Sequence, residues 1–102
     1  MAVTGTGEGR VLTLTITGEV DHHHAGEIMA DIDRSIDTSL PRQLTVDLSG
    51  VSFMDSSGIA ILLRAYRRLG ELGGALTIRG VPDQAAKVLR AAGLSRLMKI
   101  EE

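Results

Sequence analysis

The sequence predicts an α/β domain: an at least partly parallel sheet with helices packed on one face only. Three observations carry this. Apolar and polar residues alternate at period two in three separate stretches. Apolar residues recur at spacings of three and four between those stretches. The strand stretches also keep threonine or charge at every second position, whereas strands buried on both faces read as continuous apolar runs. Strands joined through helices need right-handed crossovers and at least partly parallel pairing, and a wet sheet face leaves the helices a single side to occupy.

Taken in order, Gly5-Thr6-Gly7-Glu8-Gly9 reads as a turn. It lacks the Lys-Ser/Thr ending of a phosphate loop and precedes a strand where such a loop would follow one. In residues 12–17, Leu12, Leu14 and Ile16 face one way and Thr13, Thr15 and Thr17 the other. Ala25, Ile28, Met29, Ile32 and Ile36 then form a helical stripe. Leu44, Val46 and Leu48 alternate with Thr45 and Asp47, the second strand. The next helix takes Ile59, Leu62, Leu63, Tyr66 and Leu69 as its apolar face and Arg64, Arg67, Arg68 and Glu71 as its solvated one. Leu76 and Ile78 against Thr77 and Arg79 make a third strand. A last helix after Pro82 uses Ala85, Val88, Leu89 and Ala92 and ends at Gly93. Residues 97–100 suit a short final strand.

The 102 residues, 43% apolar and 24% charged, are expected to form one domain, 1–102. A net charge of −2, with a single Tyr and a single Phe, supplies neither a basic field nor a stacking platform, so no direct nucleic-acid contact is expected. No cysteine is present, which removes disulfides, thiolate metal sites and cysteine nucleophiles. There is no apolar run of membrane-spanning length and no secretion signal at the start, so the expectation is a cytoplasmic protein with no membrane association. Nothing implies a cofactor.

In parallel β–α units the loops leaving the strand C-termini share one edge, where such sheets bind ligands. Residues 18–24, 51–57 and 80–82 should therefore be neighbours. The middle loop carries Asp55-Ser56-Ser57-Gly58, with Ser56 or Ser57 at the helix-capping position. A serine oxygen accepting from a first-turn N–H, beside an aspartate at the positive helix end, is the simplest account. Three chemical readings compete with it: phosphorylation of the serine, a serine nucleophile using His22, His23 or His24 with Asp21, and phosphorylation of Asp55. The second lacks the Gly-x-Ser-x-Gly elbow. The third lacks an acidic pair after the first strand and a suitably placed lysine.

Gly18-Glu19-Val20-Asp21-His22-His23, then Ser52-Phe53-Met54-Asp55-Ser56-Ser57-Gly58-Ile59, then Gly93-Leu94-Ser95-Arg96-Leu97-Met98-Lys99-Ile100 resemble, in order, blocks of the STAS-domain anti-sigma factor antagonists. Within that family the sporulation-type antagonists of sigma factor F look most similar. The resemblance implies a STAS-like α/β fold, a mixed sheet of about four to five strands with helices packed on one face, and a binding protein with no catalytic residues. The unmodified antagonist binds an anti-sigma factor that is also a serine kinase with a histidine-kinase-like ATP fold, and the sigma factor is released. The kinase phosphorylates the serine after the aspartate, Ser56 here, which ends binding, and a PP2C-type phosphatase reverses it. The partner-binding surface then comprises Asp21, His22, His23, Met54, Asp55, Ser56, Ser57 and Gly58. His24 departs from the pattern, standing where a small hydroxyl residue is expected.

The histidine run has no carboxylate or cysteine cluster at ligand spacing, so no metal is expected. Arg64, Arg67 and Arg68 read as a solvated face or a rim for an acidic partner. Phe53 and Met54 read as core or interface residues, and a partly exposed Met54 would suit a docking surface. Within the same fold the alternative is a scaffold or sensor module whose serine is seldom modified, and outside it a small serine hydrolase.

Overall fold

The computed structural model describes residues 2–101. Five strands form one sheet in the order β1 (Val3–Glu8), β2 (Val11–Val20), β3 (Gln43–Met54), β4 (Ala75–Arg79) and β5 (Lys99–Ile100). The β1–β2 pair is antiparallel and the other three are parallel. Helices α1 (Ala25–Ser39), α2 (Ser57–Glu71) and α3 (Asp83–Ala91) provide the crossovers, and a short 3-10 turn at Leu94–Arg96 leads into β5.

The alternation in the sequence becomes the two faces of the sheet. Leu12, Leu14, Ile16, Leu44, Val46, Leu48, Leu76 and Ile78 are buried and join the same cluster as the helix stripes, while Thr13, Thr15, Thr45 and Thr77 stay half-buried. The shortest dimension, 19 Å, leaves room for one layer of helices on one sheet. Among the described residues, no helix is long and apolar enough to cross a membrane.

Three expectations are corrected. The glycine run is not a turn but most of β1, paired from Val3↔Ile16 to Glu8↔Val11, and the reversal falls at Gly9, whose φ is +64°. Glycine disfavours a strand locally, but β2 supplies a ready edge, and the missing side chain is required: a Cβ at Gly7 would lie 2.6 Å from the Val11 carbonyl oxygen. On α2 the buried face is Gly58, Ile61, Leu62, Ala65 and Leu69, rotated from the expected stripe, leaving Ile59 and Leu63 half-buried and Tyr66 at the surface. Small residues at Gly58 and Ala65 let the helix lie close to the sheet, so close approach outweighs side-chain size. On α3, Ala86 joins Ala85 and Leu89 in the buried set, while Ala92 is exposed and Gly93 ends the segment with φ +69°.

Beyond Leu48, β3 carries two bulges against β2. Thr15 pairs with Asp47 but Thr17 with Gly50, and Gly18 pairs with Val51 but Glu19 with Phe53. Each inserts one extra residue on β3, so its inward residues become Leu48, Val51 and Met54, three apart. This aims the end of β3 at the first turn of α2.

Candidate functional site

The loops after β2 and β3 meet, as the shared-edge argument expects. Val20 pairs with Met54, and the Asp55 N–H donates to the Val20 carbonyl at 3.0 Å. The His22 N–H donates to Asp55 Oδ2 at 3.3 Å, and the His22 ring nitrogen Nδ1 lies 3.8 Å from the same oxygen. Asp55 thus ties the two loops together.

Its other oxygen caps the helix. The Ser57 N–H donates to Asp55 Oδ1 at 2.7 Å. Ser56 occupies the N-cap position, yet its hydroxyl makes no capping bond. The reason is conformational: a capping side chain needs an extended backbone at the cap residue, whereas Ser56 is already helical, with φ −62° and ψ −15°. The expectation that a serine caps α2 is therefore corrected; Asp55 does so. The Ser56 hydroxyl sits on an exposed residue, while Ser57 is half-buried. The first-turn amides are also engaged, Ser57 N–H by the carboxylate and Gly58 N–H by the Asp55 carbonyl at 3.0 Å, so they do not form an open nest for a phosphate.

The first loop is built alike. Asp21 Oδ1 accepts the N–H groups of His23 and His24, each at 3.1 Å, and lies 2.7 Å from His24 Nδ1. The His24 imidazole and these amides hold the Asp21 carboxyl below its ordinary range, and Asp21 raises His24 in return. Asp55 is likewise lowered, chiefly by the Ser57 N–H. Both carboxylates are ionised at neutral pH. The exposed rings of His22 and His23 lie 4.1 Å apart. Among the described residues no three His, Cys, Asp or Glu side chains converge to hold a metal, and no hydrogen bond joins an imidazole to the Ser56 hydroxyl.

Met54 is corrected from surface to core: it is 1% exposed and packs beneath Gly58, where a Cβ would lie 2.5 Å from its sulfur. Its neighbour Phe53 is instead 43% exposed, on the opposite side of the strand. Sequence reasoning also missed Gln84, whose side chain bonds the Met54 backbone twice. Arg64 and Arg68 are not free on their helix face, since they bridge to Asp33, and Arg68 also to Asp37, across the α1–α2 contact. Arg67 has no such partner among the described residues.

The STAS domain family model matches residues 3–102. The chain belongs to this family. Similar STAS proteins include the anti-sigma F factor antagonists of Paenibacillus polymyxa, 29% identical over 88% of this chain and 77% of that one, and of Lysinibacillus sphaericus, 31% identical over 85% and 74%. Among solved structures, the anti-sigma factor antagonist SpoIIAA in its unphosphorylated form is 25% identical, with a TM-score of 0.82 over 99% of this chain and 89% of that one. The phosphorylated form of SpoIIAA, a Bacillus cell fate determinant, matches with a TM-score of 0.73 over 99% and 92% at the same identity. The five-stranded mixed sheet with three helices is the STAS fold of these proteins.

Proposed function

We propose that this chain is an anti-sigma factor antagonist switched by phosphorylation of Ser56. In the unmodified state it binds an anti-sigma factor serine kinase with a histidine-kinase-like ATP fold, and the sigma factor is released. Phosphorylation ends that binding, and a PP2C-type phosphatase restores it. The observation that carries the reading is Ser56, exposed on the edge shared by two β–α loops, its helical backbone keeping the hydroxyl out of a capping bond while Asp55 accepts from the Ser57 amide. A kinase can then reach the hydroxyl without unwinding α2.

The consequence of modification is electrostatic. A phosphate adds about −1.5 to −2 charge at neutral pH. It would stand beside the ionised Asp55, in a loop tied to that of Asp21, and the first-turn amides are already engaged. A partner fitted to a small hydroxyl meets added bulk and repulsion. Relatives named as antagonists, and a related structure known with and without phosphate, support this cycle. A hydrolase would need a base at Ser56, but His24 is turned to Asp21 and His22 lies against Asp55.

The test is incubation with ATP and an anti-sigma factor serine kinase from the same organism, followed by mass mapping. Phosphate on Ser56, absent in Ser56→Ala while that variant still binds the kinase, is the expected result. Phosphate on Ser57 alone would overturn the residue assignment, and no phosphate on either would overturn the switch.

A further inference from the structure

We infer that Gln84, on the first turn of α3, is a positioning residue for the switch: its side-chain amide takes the place of a missing strand beside Met54 and fixes the Asp55–Ser56 turn. The inference rests on the proposed phosphorylation of Ser56.

The β3–β4 ladder runs from Gln43↔Ala75 to Asp47↔Arg79 and stops, while β3 continues to Met54. Backbone groups on the β4 side of that overhang have no strand neighbour. In an extended chain the N–H and C=O of one residue point to the same side, and the next residue's point to the other. The Asp55 N–H points to β2, where it meets the Val20 carbonyl, so both polar groups of Met54 face the vacated β4 side. Gln84 answers both: the Met54 N–H donates to Gln84 Oε1 at 2.8 Å, and Gln84 Nε2 donates to the Met54 carbonyl at 2.7 Å. A side-chain amide carries one acceptor and two donors in one plane, so it can reproduce the pairing of a strand residue. Aspartate, serine or leucine in its place could not.

Met54 immediately precedes Asp55, the residue that joins the loops and caps α2. The switch turn is therefore gripped from both sides, by β2 through Asp55 and by α3 through Gln84. Gln84 is itself exposed and, among the described residues, its side chain bonds only this backbone, so its removal leaves the buried core untouched while releasing one side of the turn.

The test pairs Gln84→Ala and Gln84→Glu with the wild type. With the kinase that modifies wild-type Ser56, Gln84→Ala is expected to lower kcat for phosphorylation about 3- to 10-fold, the factor carried by one or two modest hydrogen bonds, with KM changed less. In the free protein, NMR should show faster amide exchange at Met54 and shifted Ser56 and Ser57 amide resonances, with resonances of β1 and α1 unmoved. Gln84→Glu adds a pH readout. As a carboxylate it meets the Met54 carbonyl without a proton, but as a neutral acid it can again both donate and accept. Its Ser56 and Ser57 resonances should return toward those of the wild type as pH falls to about 4, near the carboxyl range of glutamate. Unchanged exchange at Met54 and unchanged kcat in Gln84→Ala would overturn the positioning role. A wild type that takes no phosphate would overturn the proposed function instead, and the NMR comparison would still decide whether Gln84 holds the turn.

Discussion

The two β–α junctions that share the loop edge are built on one plan and finished differently. At both, the strand is followed directly by an aspartate whose carboxylate accepts a backbone N–H two residues on: Asp21 from His23 and Asp55 from Ser57. At both, the second helical residue is glycine, Gly26 in α1 and Gly58 in α2. The first junction then closes on itself, with His24 on Asp21. The second is engaged from outside, by His22 on one side and Gln84 on the other, and holds Met54 under its glycine. The lesson is that an aspartate cap releases the residue after it. That residue is His22 in one loop and Ser56 in the other, and only the second carries a hydroxyl.

The largest expected difference between the junctions is in partner binding. Ser56→Asp should weaken affinity for the anti-sigma factor kinase by on the order of tenfold or more, as for an unpaired charge placed in a fitted contact. His22→Ala, which keeps the N–H that bonds Asp55, should weaken it less, about two- to fivefold. Calorimetric titration of both variants checks the ranking, and equal losses would erase the distinction between the loops.

Next are the glycines. Gly58→Ala would place a Cβ 2.5 Å from the Met54 sulfur and 2.6 Å from its Cγ. Overpacking of this kind costs about 1–3 kcal/mol, set against a helix-propensity gain of about 1 kcal/mol. Gly26→Ala meets nothing within 4 Å, and should gain about 0.5–1 kcal/mol. Chemical denaturation should therefore give opposite signs for the same substitution at matching positions. A stabilised Gly58→Ala would mean that Met54 yields easily and that α2 is not seated as described.

The smallest effect is on pH dependence. His24 titrates above its ordinary value of 6.5 in the fold because Asp21 favours its charged form. Its stabilising contribution is thus full below the ordinary histidine value and lost as pH rises through the raised one. Asp55 is lowered chiefly by an amide, so its contribution is present above the ordinary carboxyl value of 3.8 and is lost only as pH falls through the lowered one. Thermal unfolding between about pH 5 and 9, a range spanning histidine but not carboxyl titration, should show the deficit of His24→Ala shrinking as pH rises and that of Asp55→Ala holding level. The histidine side chain is half exposed, so the change is screened and small.

Much of this was legible beforehand. Alternation gave three strands and their wet face, helical spacing gave the crossovers, and the order of the elements brought the loop of Asp21 to that of Ser56. The capping residue was not legible, because Asp55, Ser56 and Ser57 are all competent acceptors by type and only the backbone angles choose among them. Nor was His24, whose imidazole takes up the same aspartate that the neighbouring amides use. Which of Phe53 and Met54 turns inward was not legible either, because neither bulge in β3 has a local signature strong enough to set it.

By itself, then, the sequence determined the elements, the single layer of helices and the location of the serine at a strand-to-helix junction. Each of these follows from periodicity, and periodicity is a property of neighbours along the chain. Tertiary structure decided that a glycine-rich stretch is an edge strand, which residues of α2 face the sheet, that Asp55 rather than Ser56 caps it, and that Gln84 reaches Met54 across 30 positions. These depend on how closely the layers approach and where β4 stops short of β3, distances that exist only once the crossovers have closed.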